Sequence, residues 1–331
     1  ILITGSSDAI IADTIQMFRD PGPRKETWPI TTGPLNSFVG IHYTYDRANR
    51  TLEMRHRAFR EGLLDRYGMS DLKPAKTPCP PQEKHSAVKT ATEEQQIDKA
   101  WSLAPDAHQT AMDNYANIVG ALVYDATSVA PHFAYPVKQL CKHMHAPGRA
   151  AAASLVAFMR YLRGCTDDAL IYRARPGPPN LTPCTFYDAT HANVKSDAAL
   201  RATAAFTTYV NGCLIDYRSV TLHFTGVGPN ESEAHAAALA TSSSRWTREL
   251  LHELGFPEST PESALVVGDN AGATNLPDRG VTAQNRHYFT RIFNFVQCVR
   301  YGIITSAWVD GRHNPADQLT KHIGQLKVNG G

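Results

Sequence analysis

The sequence has no Cys-x-x-Cys pair. Its six cysteines, at 79, 141, 165, 184, 213 and 298, are scattered, which argues against a disulfide framework and a zinc ribbon and makes a reducing compartment the expectation. No apolar run reaches the roughly 18 residues that a membrane-spanning helix needs, and no signal-peptide pattern is visible. Neither sign of charge is in excess. With Lys+Arg 33 against Asp+Glu 31 the net charge is +2, so a nucleic-acid surface has to be a local patch and not a property of the whole chain. The one cysteine–histidine cluster, Cys141 with His143 and His145, has alternate-residue spacing at the end of a helical pattern, and reads as a polar helix terminus rather than a metal site. No initiator methionine precedes "ILITG", and this abrupt, strand-like opening reads as a piece of something longer.

What is present is ample apolar content. At 331 residues with 42% hydrophobic side chains the chain can bury more than one core, and two or three domains are expected. Ile1–Thr4 predicts a strand, "DAIIADTIQMF" a short amphipathic helix, and "FVGIHYTYD" with "RTLEM" two strands joined at "RANR". A helix over about 57–67 follows. Residues 73–111 are rich in Pro, Lys, Thr and Glu without sustained periodicity and read as a linker. Three helical patterns come next, around "NYANIVGALVYDAT", "FAYPVKQLCKHM" and "AAASLVAFMRYLRG", before "RPGPPNLTP" breaks the pattern. The last part predicts strands at "CTFYD", "ATAAFTTYV" and "CLIDYRSV", the latter two joined by Asn211-Gly212, the dipeptide that a type I′ hairpin turn prefers. A long helix over about 231–255, the strand "ALVVG", helices near 270–276 and 284–300, the strand "IITSAWV" and a helix from Pro315 complete it. That order implies a mixed sheet flanked by helices.

Four acids lie at the ends of these elements, and each has a local explanation. In "PNESEAHAAALA", Asn230 as N-cap makes Glu233 the N3 residue of a capping box. Yet at about 100° per residue Glu233 lies on the side of Ala236, Ala237 and Ala240, leaning toward the sheet, whereas Glu231 points roughly 160° away. A carboxylate leaning inward needs a partner. Asp188 closes "CTFYD", Asp269 follows "ALVVG", and Asp317 would be N3 of a helix with Asn314 as N-cap and Pro315 at N1; each is a turn or cap residue on local grounds. Their conjunction argues otherwise. If the first and fourth strands of this sheet are neighbours, Asp188 and Asp269 sit side by side, Glu233 faces them from the crossover helix and Asp317 closes the ring. Acids so close raise one another's pKa. Divalent cations resolve the conflict: Mg²⁺ prefers oxygen ligands, and two ions about 4 Å apart can clamp an in-line displacement at phosphorus, one activating water and one stabilising the leaving 3′ oxygen.

With these residues placed, the chain resembles the C-terminal part of a copia-type LTR retrotransposon Pol polyprotein. "FVGIHYTYDRANRTLEMRHRAFREGLLDRYGMSDLKPAKTPCP" is similar to the end of that family's reverse transcriptase, and "YANIVGALVYDATSVAPHFAYPVKQLCKHM" with "MRYLRGCTDDALIY" to the helical connection after it. "FYDATHA", "NESEAHA", "GDNAGA" and "NPADQLTK" resemble the four acidic motifs of its ribonuclease H. The resemblance implies an α/β (α+β) chain with a ribonuclease H-like mixed five-stranded sheet, divided into the palm end and thumb start (1–72), a linker (73–111), a helical thumb or connection (112–175) and a ribonuclease H domain (176–325). It also implies that Asp188, Glu233, Asp269 and Asp317 are the catalytic, metal-binding acids. Glu233 is preferred to Glu231 because the family's functional glutamate is the second of its Glu-x-Glu. The implied cofactor is a pair of Mg²⁺ ions, with Mn²⁺ able to substitute, and the implied reaction cuts the RNA strand of RNA/DNA hybrids, leaving a 3′-hydroxyl and a 5′-phosphate.

The expected partners are the hybrid and the remaining palm and fingers of the reverse transcriptase, in a cytoplasmic virus-like particle or the nucleus. The hybrid would be read by its shape and 2′-hydroxyls across the minor groove, with Lys195, Arg201, Arg218 and Arg245 as candidate contacts and His313 as an aid to product release. The family pattern is broken in places. Its Tyr-x-Asp-Asp polymerase motif would lie just before Ile1, so polymerisation is not expected of this chain alone. Thr190 and His191 replace a common Asp and Trp, the Ser-Ser-Lys before the glutamate helix is replaced around 218–220, and of a histidine-rich stretch near 285–296 only His287 is clearly placed. A rival reading is therefore a catalytically silent nucleic-acid-binding or structural remnant.

Overall fold

Apolar residues at helical spacing and at alternating spacing separate into two cores. The computed structural model of the chain describes residues 8–19, 33, 36–78, 91–190, 201–256 and 263–321; the strand expected at Ile1–Thr4 lies outside them. In the first half run α1 (Asp8–Arg19), β1 (Ser37–Phe38), β2 (Ile41–Asp46), β3 (Thr51–Arg55), α2 (Arg57–Arg66), α3 (Ala91–Leu103), α4 (Pro105–Asp113), α5 (Tyr115–Ser128), α6 (Ala134–Cys141), α7 (Arg149–Gly164) and β4 (Ala169–Arg173). The hairpin of β2 and β3 pairs Tyr43 with Met54 and Asp46 with Thr51. The strands lie in the order β1-β2-β3-β4, all antiparallel.

Helix α7 shows why this half buries a core. Leu155, Val156, Phe158, Met159 and Leu162 recur at intervals of three and four residues and are all buried, as an amphipathic helix requires. They join Ile118, Val119 and Leu122 of α5, Val137 and Leu140 of α6, and Leu63 and Leu64 of α2. At the base of this core lies a fully buried ion pair. Arg60 Nε donates to Asp125 Oδ2 at 2.7 Å and Nη2 to Oδ1 at 3.1 Å, while Nη1 donates to the carbonyls of Cys165 at 3.0 Å and Asp168 at 3.1 Å. His56 Nδ1 is 2.9 Å from Asp125 Oδ1. Burial alone would raise the Asp125 pKa, but the bonds from His56 and Arg60 outweigh it and hold the carboxyl below its ordinary value.

Two findings depart from the sequence reading here. Helices α3 and α4 occupy much of the stretch read as a linker. Their helical signal is weak because α3 carries little apolar surface; it is held instead by the Trp101 indole donating to Arg149 O at 3.2 Å and by an Arg149–Asp98 ion pair at 2.9 Å. Residues 79–90 of that stretch lie outside the described residues. Strand β4, within the segment read as helical, pairs with β3 in the register Thr51↔Arg173 to Arg55↔Ala169.

The second half is built on one sheet. It contains β5 (Cys184–Thr190), β6 (Thr203–Val210), β7 (Cys213–Thr221), α8 (Pro229–Glu253), β8 (Ala264–Gly268), the short helices α9 (Ala271–Thr274), α10 (Leu276–Arg279) and α11 (Arg286–Phe289), then α12 (Phe293–Arg300), β9 (Ile304–Trp308) and the 3-10 turns Gly311–His313 and Pro315–Leu319. Asn211 and Gly212 take φ of 51° and 78°, as both central residues of a type I′ turn must. The strand order is β7-β6-β5-β8-β9, antiparallel among the first three and parallel from β5 to β9. This is the mixed five-stranded sheet flanked by helices that the sequence implied. Helix α8 lies against β5, β6 and β8. The wholly buried Ala234, Ala236, Ala237 and Ala240 line its inner face, and small side chains there let the helix approach the sheet closely. No helix among the described residues is long and apolar enough to cross a membrane.

Candidate active site

The parallel pairing of β5 with β8 fixes the first two acids. Phe186 is opposite Val267; two residues further along each strand stand Asp188 and Asp269, so both carboxyls sit at the same level where the parallel pair ends. Helix α8 supplies the third. Oxygens of Asp188, Glu233 and Asp269 all lie within 4.8 Å of one another. Asp188 is 3% and Glu233 6% exposed, which puts two charges where water cannot solvate them.

The local start of α8 differs from the capping box expected at Asn230. The N-cap is Gly228, with Pro229 at N1, and no side chain caps the helix. Proline suits the first helical position because its fixed φ matches and its missing N–H would be unpaired there anyway. The N3 residue is thus Glu231, whose Oε2 accepts from Val227 N at 2.8 Å and lies 3.6 Å from His287 Nε2. Glu231 fastens the loop that enters the helix, and Glu233 is left free of that task. Asn230 packs over Gly272 so closely that a Cβ at Gly272 would meet Asn230 Oδ1 at 2.7 Å.

Electrostatics follow from burial. Removal from water, then the fields of Asp188 and Asp269, push Glu233 up to about 9, against a bond from the Ala189 backbone that favours the ionised form. Glu233 Oε2 has no hydrogen-bond partner. Burial likewise raises Asp188 to about 6, with Asp317 and Asp269 adding to the rise and Thr320 and Lys321 opposing it. The half-buried Asp269 is also raised, chiefly by burial.

Asp317 stands apart from the other three. It sits in the 315–319 turn, which Asn314 anchors by donating from Nδ2 to Tyr187 O at 2.8 Å and accepting from Ala316 N at 3.1 Å. Its field reaches Asp188 and Asp269, but its Oδ1 is held in an ion pair by Lys321, and it is not one of the three acids whose oxygens lie within 4.8 Å. The Thr320 hydroxyl donates to Asp188 Oδ2. Thr320 and Lys321 were missed as site neighbours, although their positions three and four residues after Asp317 were a readable signal. Gly311 approaches from the preceding turn: a Cβ there would meet Asp269 Oδ2 at 2.7 Å.

The remaining candidates are dispersed. His313 ends the exposed turn that begins at Gly311. Arg218 is exposed on β7 opposite Phe206, and Arg201 lies just before β6. Arg245 lies twelve residues after Glu233 on α8, which at 1.5 Å per residue is about 18 Å along the helix, and its guanidinium donates to Asn294 Oδ1 at 3.1 Å. Lys195 lies outside the described residues. A second group with metal-capable side chains, His132, Cys165 and Asp168, occurs near the end of α7; there Arg60 already donates to the Cys165 and Asp168 carbonyls, so an added cation would face a buried like charge.

No protein-family model matches the chain. It is 25% identical over 296 residues to the retrovirus-related Pol polyprotein from transposon TNT 1-94 of Nicotiana tabacum, which covers 89% of this chain and 21% of that protein. It is 26% identical over 326 residues to the retrovirus-related Pol polyprotein from transposon RE1 of Arabidopsis thaliana, covering 98% of this chain and 20% of that protein. An uncharacterized mitochondrial protein of Arabidopsis thaliana is 27% identical over 247 residues, 75% of this chain and 90% of that protein. The chain thus spans about a fifth of the length of the two polyproteins. Among solved structures, the N-terminal ribonuclease H domain of rv2228c from Mycobacterium tuberculosis is similar to 42% of this chain over 91% of its own, at 12% identity and a TM-score of 0.31. Ribonuclease H1 from Halobacterium salinarum is similar to 41% of this chain over 92% of its own, at 15% identity and a TM-score of 0.28. Over most of its length, then, the homologues of this chain are retrovirus-related Pol polyproteins of plant transposons, as its motifs implied.

Proposed function

We propose that the chain is the end of a copia-type reverse transcriptase joined to its ribonuclease H, and that Asp188, Glu233, Asp269 and Asp317 hold two divalent ions for hydrolysis of the RNA strand of RNA/DNA hybrids. In this reading residues 1–72 are the palm end and thumb start, 73–111 the linker, 112–175 the connection and 176–325 the nuclease domain. The observation that carries it is the convergence of two buried carboxylates and a half-buried one, from a strand, a helix and the end of a parallel strand, to within 4.8 Å.

The site fits a hard cation. Its donors are all carboxylate oxygens, as Mg²⁺ prefers; Glu233 Oε2 is buried without a partner; and both Glu233 and Asp188 are pushed toward their neutral forms by burial and the fields of neighbouring acids, a cost that a divalent ion removes. Bound Mg²⁺, or Mn²⁺ in its place, would acidify a water and stabilise negative charge on the phosphoryl and leaving oxygens. The protein's residues supply position. The β5–β8 register sets the separation of Asp188 and Asp269, the Thr320 hydroxyl orients Asp188, and the bare backbone of Gly311 leaves room for the Asp269 carboxyl. Water oxygen ends on phosphorus, the bond from phosphorus to the 3′ oxygen breaks, and the products are a 3′-hydroxyl and a 5′-phosphate. His313, on its exposed turn, is available to help product leave, and Arg201 and Arg218 are the candidates for phosphate contact; no polymerase activity is assigned.

A labelled RNA/DNA hybrid tests this. The chain should cut only the RNA strand, only with Mg²⁺ or Mn²⁺, and Asp269→Asn should abolish cutting while hybrid binding, read by fluorescence anisotropy, persists. Binding with no metal-dependent difference between the two proteins would leave the silent nucleic-acid-binding module, a reading that the Lys321 ion pair on Asp317 and the altered residues Thr190 and His191 favour.

A further inference from the structure

Lys321 is the one cation set directly on the acidic cluster among the described residues. Its ammonium pairs with Asp317 Oδ1, with side-chain exposures of 39% for the lysine and 19% for the aspartate. Burial alone would lower the ammonium pKa; the bond to Asp317 and the fields of Asp188, Asp317 and Asp269 outweigh it and hold it above its ordinary value. The backbone supports the same placement. Thr320, the preceding residue, is buried, donates to Asp188 Oδ2 and is bonded to the Asp317 carbonyl at 3.1 Å, so the chain that delivers Lys321 is tied to two of the acids.

An ammonium in this position does part of what a metal ion would do. It supplies one positive charge against Asp317, and it takes an oxygen that a divalent ion would need. The other three acids carry no such substitute: Glu233 Oε2 is unpartnered, and the Lys321 ammonium reaches Asp188, Glu233 and Asp269 only through its field.

We propose that Lys321 is an internal competitor for the second ion: the Asp188–Glu233–Asp269 group loads first, and an ion using Asp317 binds only as the Lys321 ammonium leaves that carboxylate. Loading is then sequential by construction, and the lysine holds the fourth acid in place and its charge balanced until the second ion arrives. The inference rests on the metal-binding reading above and adds to it an order of loading and the residue that sets it.

The test is a Mn²⁺ titration of the whole chain without nucleic acid, with free Mn²⁺ read by electron paramagnetic resonance. The wild-type chain should bind one ion and then a second at least about 10-fold more weakly, and Lys321→Met should tighten the second ion by about 10-fold or more, because it deletes a unit charge a few ångströms away. Lys321→Arg keeps the charge and should bind as wild type does. Circular dichroism checks the fold of each variant, and should Lys321→Met not fold, Lys321→Gln carries the same expectation. A second-ion affinity unchanged on removing the charge overturns the competition while leaving the metal site standing. Absence of Mn²⁺ binding in every chain overturns the metal site, and the competition with it.

Discussion

Replacing the ionisable group of Glu233 should stabilise the metal-free protein, against the usual outcome of substituting a buried residue. Burial and the neighbouring acids raise its pKa from an ordinary 4.5 to about 9. Between those values the folded chain holds a proton that the unfolded chain has released, so stability falls as pH rises. The contribution is present in full below about pH 4.5 and is lost as pH climbs through the window to about 9. At pH 8 some 3.5 pH units of that window have been crossed, a cost of about 5 kcal/mol at 1.36 kcal/mol per unit. Glu233→Gln avoids this but buries an amide lacking a partner, which costs about 1–3 kcal/mol. The net gain is about 2–4 kcal/mol, or roughly 3–6 °C in melting temperature for a chain of 331 residues at about 2.1 cal/mol/K per residue. The assay is thermal melting in EDTA from pH 5 to pH 9. Wild-type melting should drop across the range and the variant's should drop less, while Mg²⁺ should restore the wild type and leave the variant nearly unmoved. A variant that melts at or below the wild type in EDTA at pH 8 refutes the claim that the fold holds Glu233 far above its ordinary pKa.

Two further substitutions probe the site and its support. Asp125→Ala strands the buried Arg60 guanidinium, which now makes two bonds to that carboxylate; urea denaturation should show a loss of about 3–5 kcal/mol, and a loss under 1 kcal/mol would mean that the pair is not the anchor between α2 and α5. Gly311→Ala places a methyl 2.7 Å from Asp269 Oδ2, and should lower hybrid cleavage by about 10- to 100-fold through displacement of that carboxylate, with the melting temperature held near wild type because the turn is at the surface.

Much of this arrangement was legible in the sequence for reasons that can be named. A strand, two more joined by Asn211-Gly212, and a helix running back to "ALVVG" leave few ways to arrange a sheet, and the adjacency of β5 and β8 follows from the crossover. Helical periodicity turned Glu233 toward the sheet and Glu231 away. The start of α8 was misread because Asn-x-x-Glu is a strong local pattern, while Pro229, the better signal, sits one residue earlier. Helix α3 was hidden because its hold on α7 comes from Trp101, Asp98 and Arg149, contacts between residues far apart in sequence. Strand β4 pairs with β3 across all of the helices between them, and nothing local in "ALIYR" specifies that partner.

The four acids, alike in the motif pattern, are unlike in how the fold holds them. Asp188 and Glu233 project from the interiors of a seven-residue strand and a 25-residue helix, and Asp269 directly follows a strand paired on both sides, so shifting any of these means shifting the core that their elements bury. Asp317 stands on a five-residue 3-10 turn, fixed to the sheet through the Asn314–Tyr187 bond and the Ser219 hydroxyl on Leu319 O, and of the four acids it is the one paired directly with an ammonium, that of Lys321. Three carboxylates on rigid elements make one preorganised group, whose raised pKa values are the cost of holding charges together. A fourth on a short turn, already paired with its own lysine, adds little to that cost. The division explains why a fold can tolerate such a concentration of acid: only as many carboxylates are left uncompensated as one ion needs, and the last is kept paired until there is something to replace the lysine.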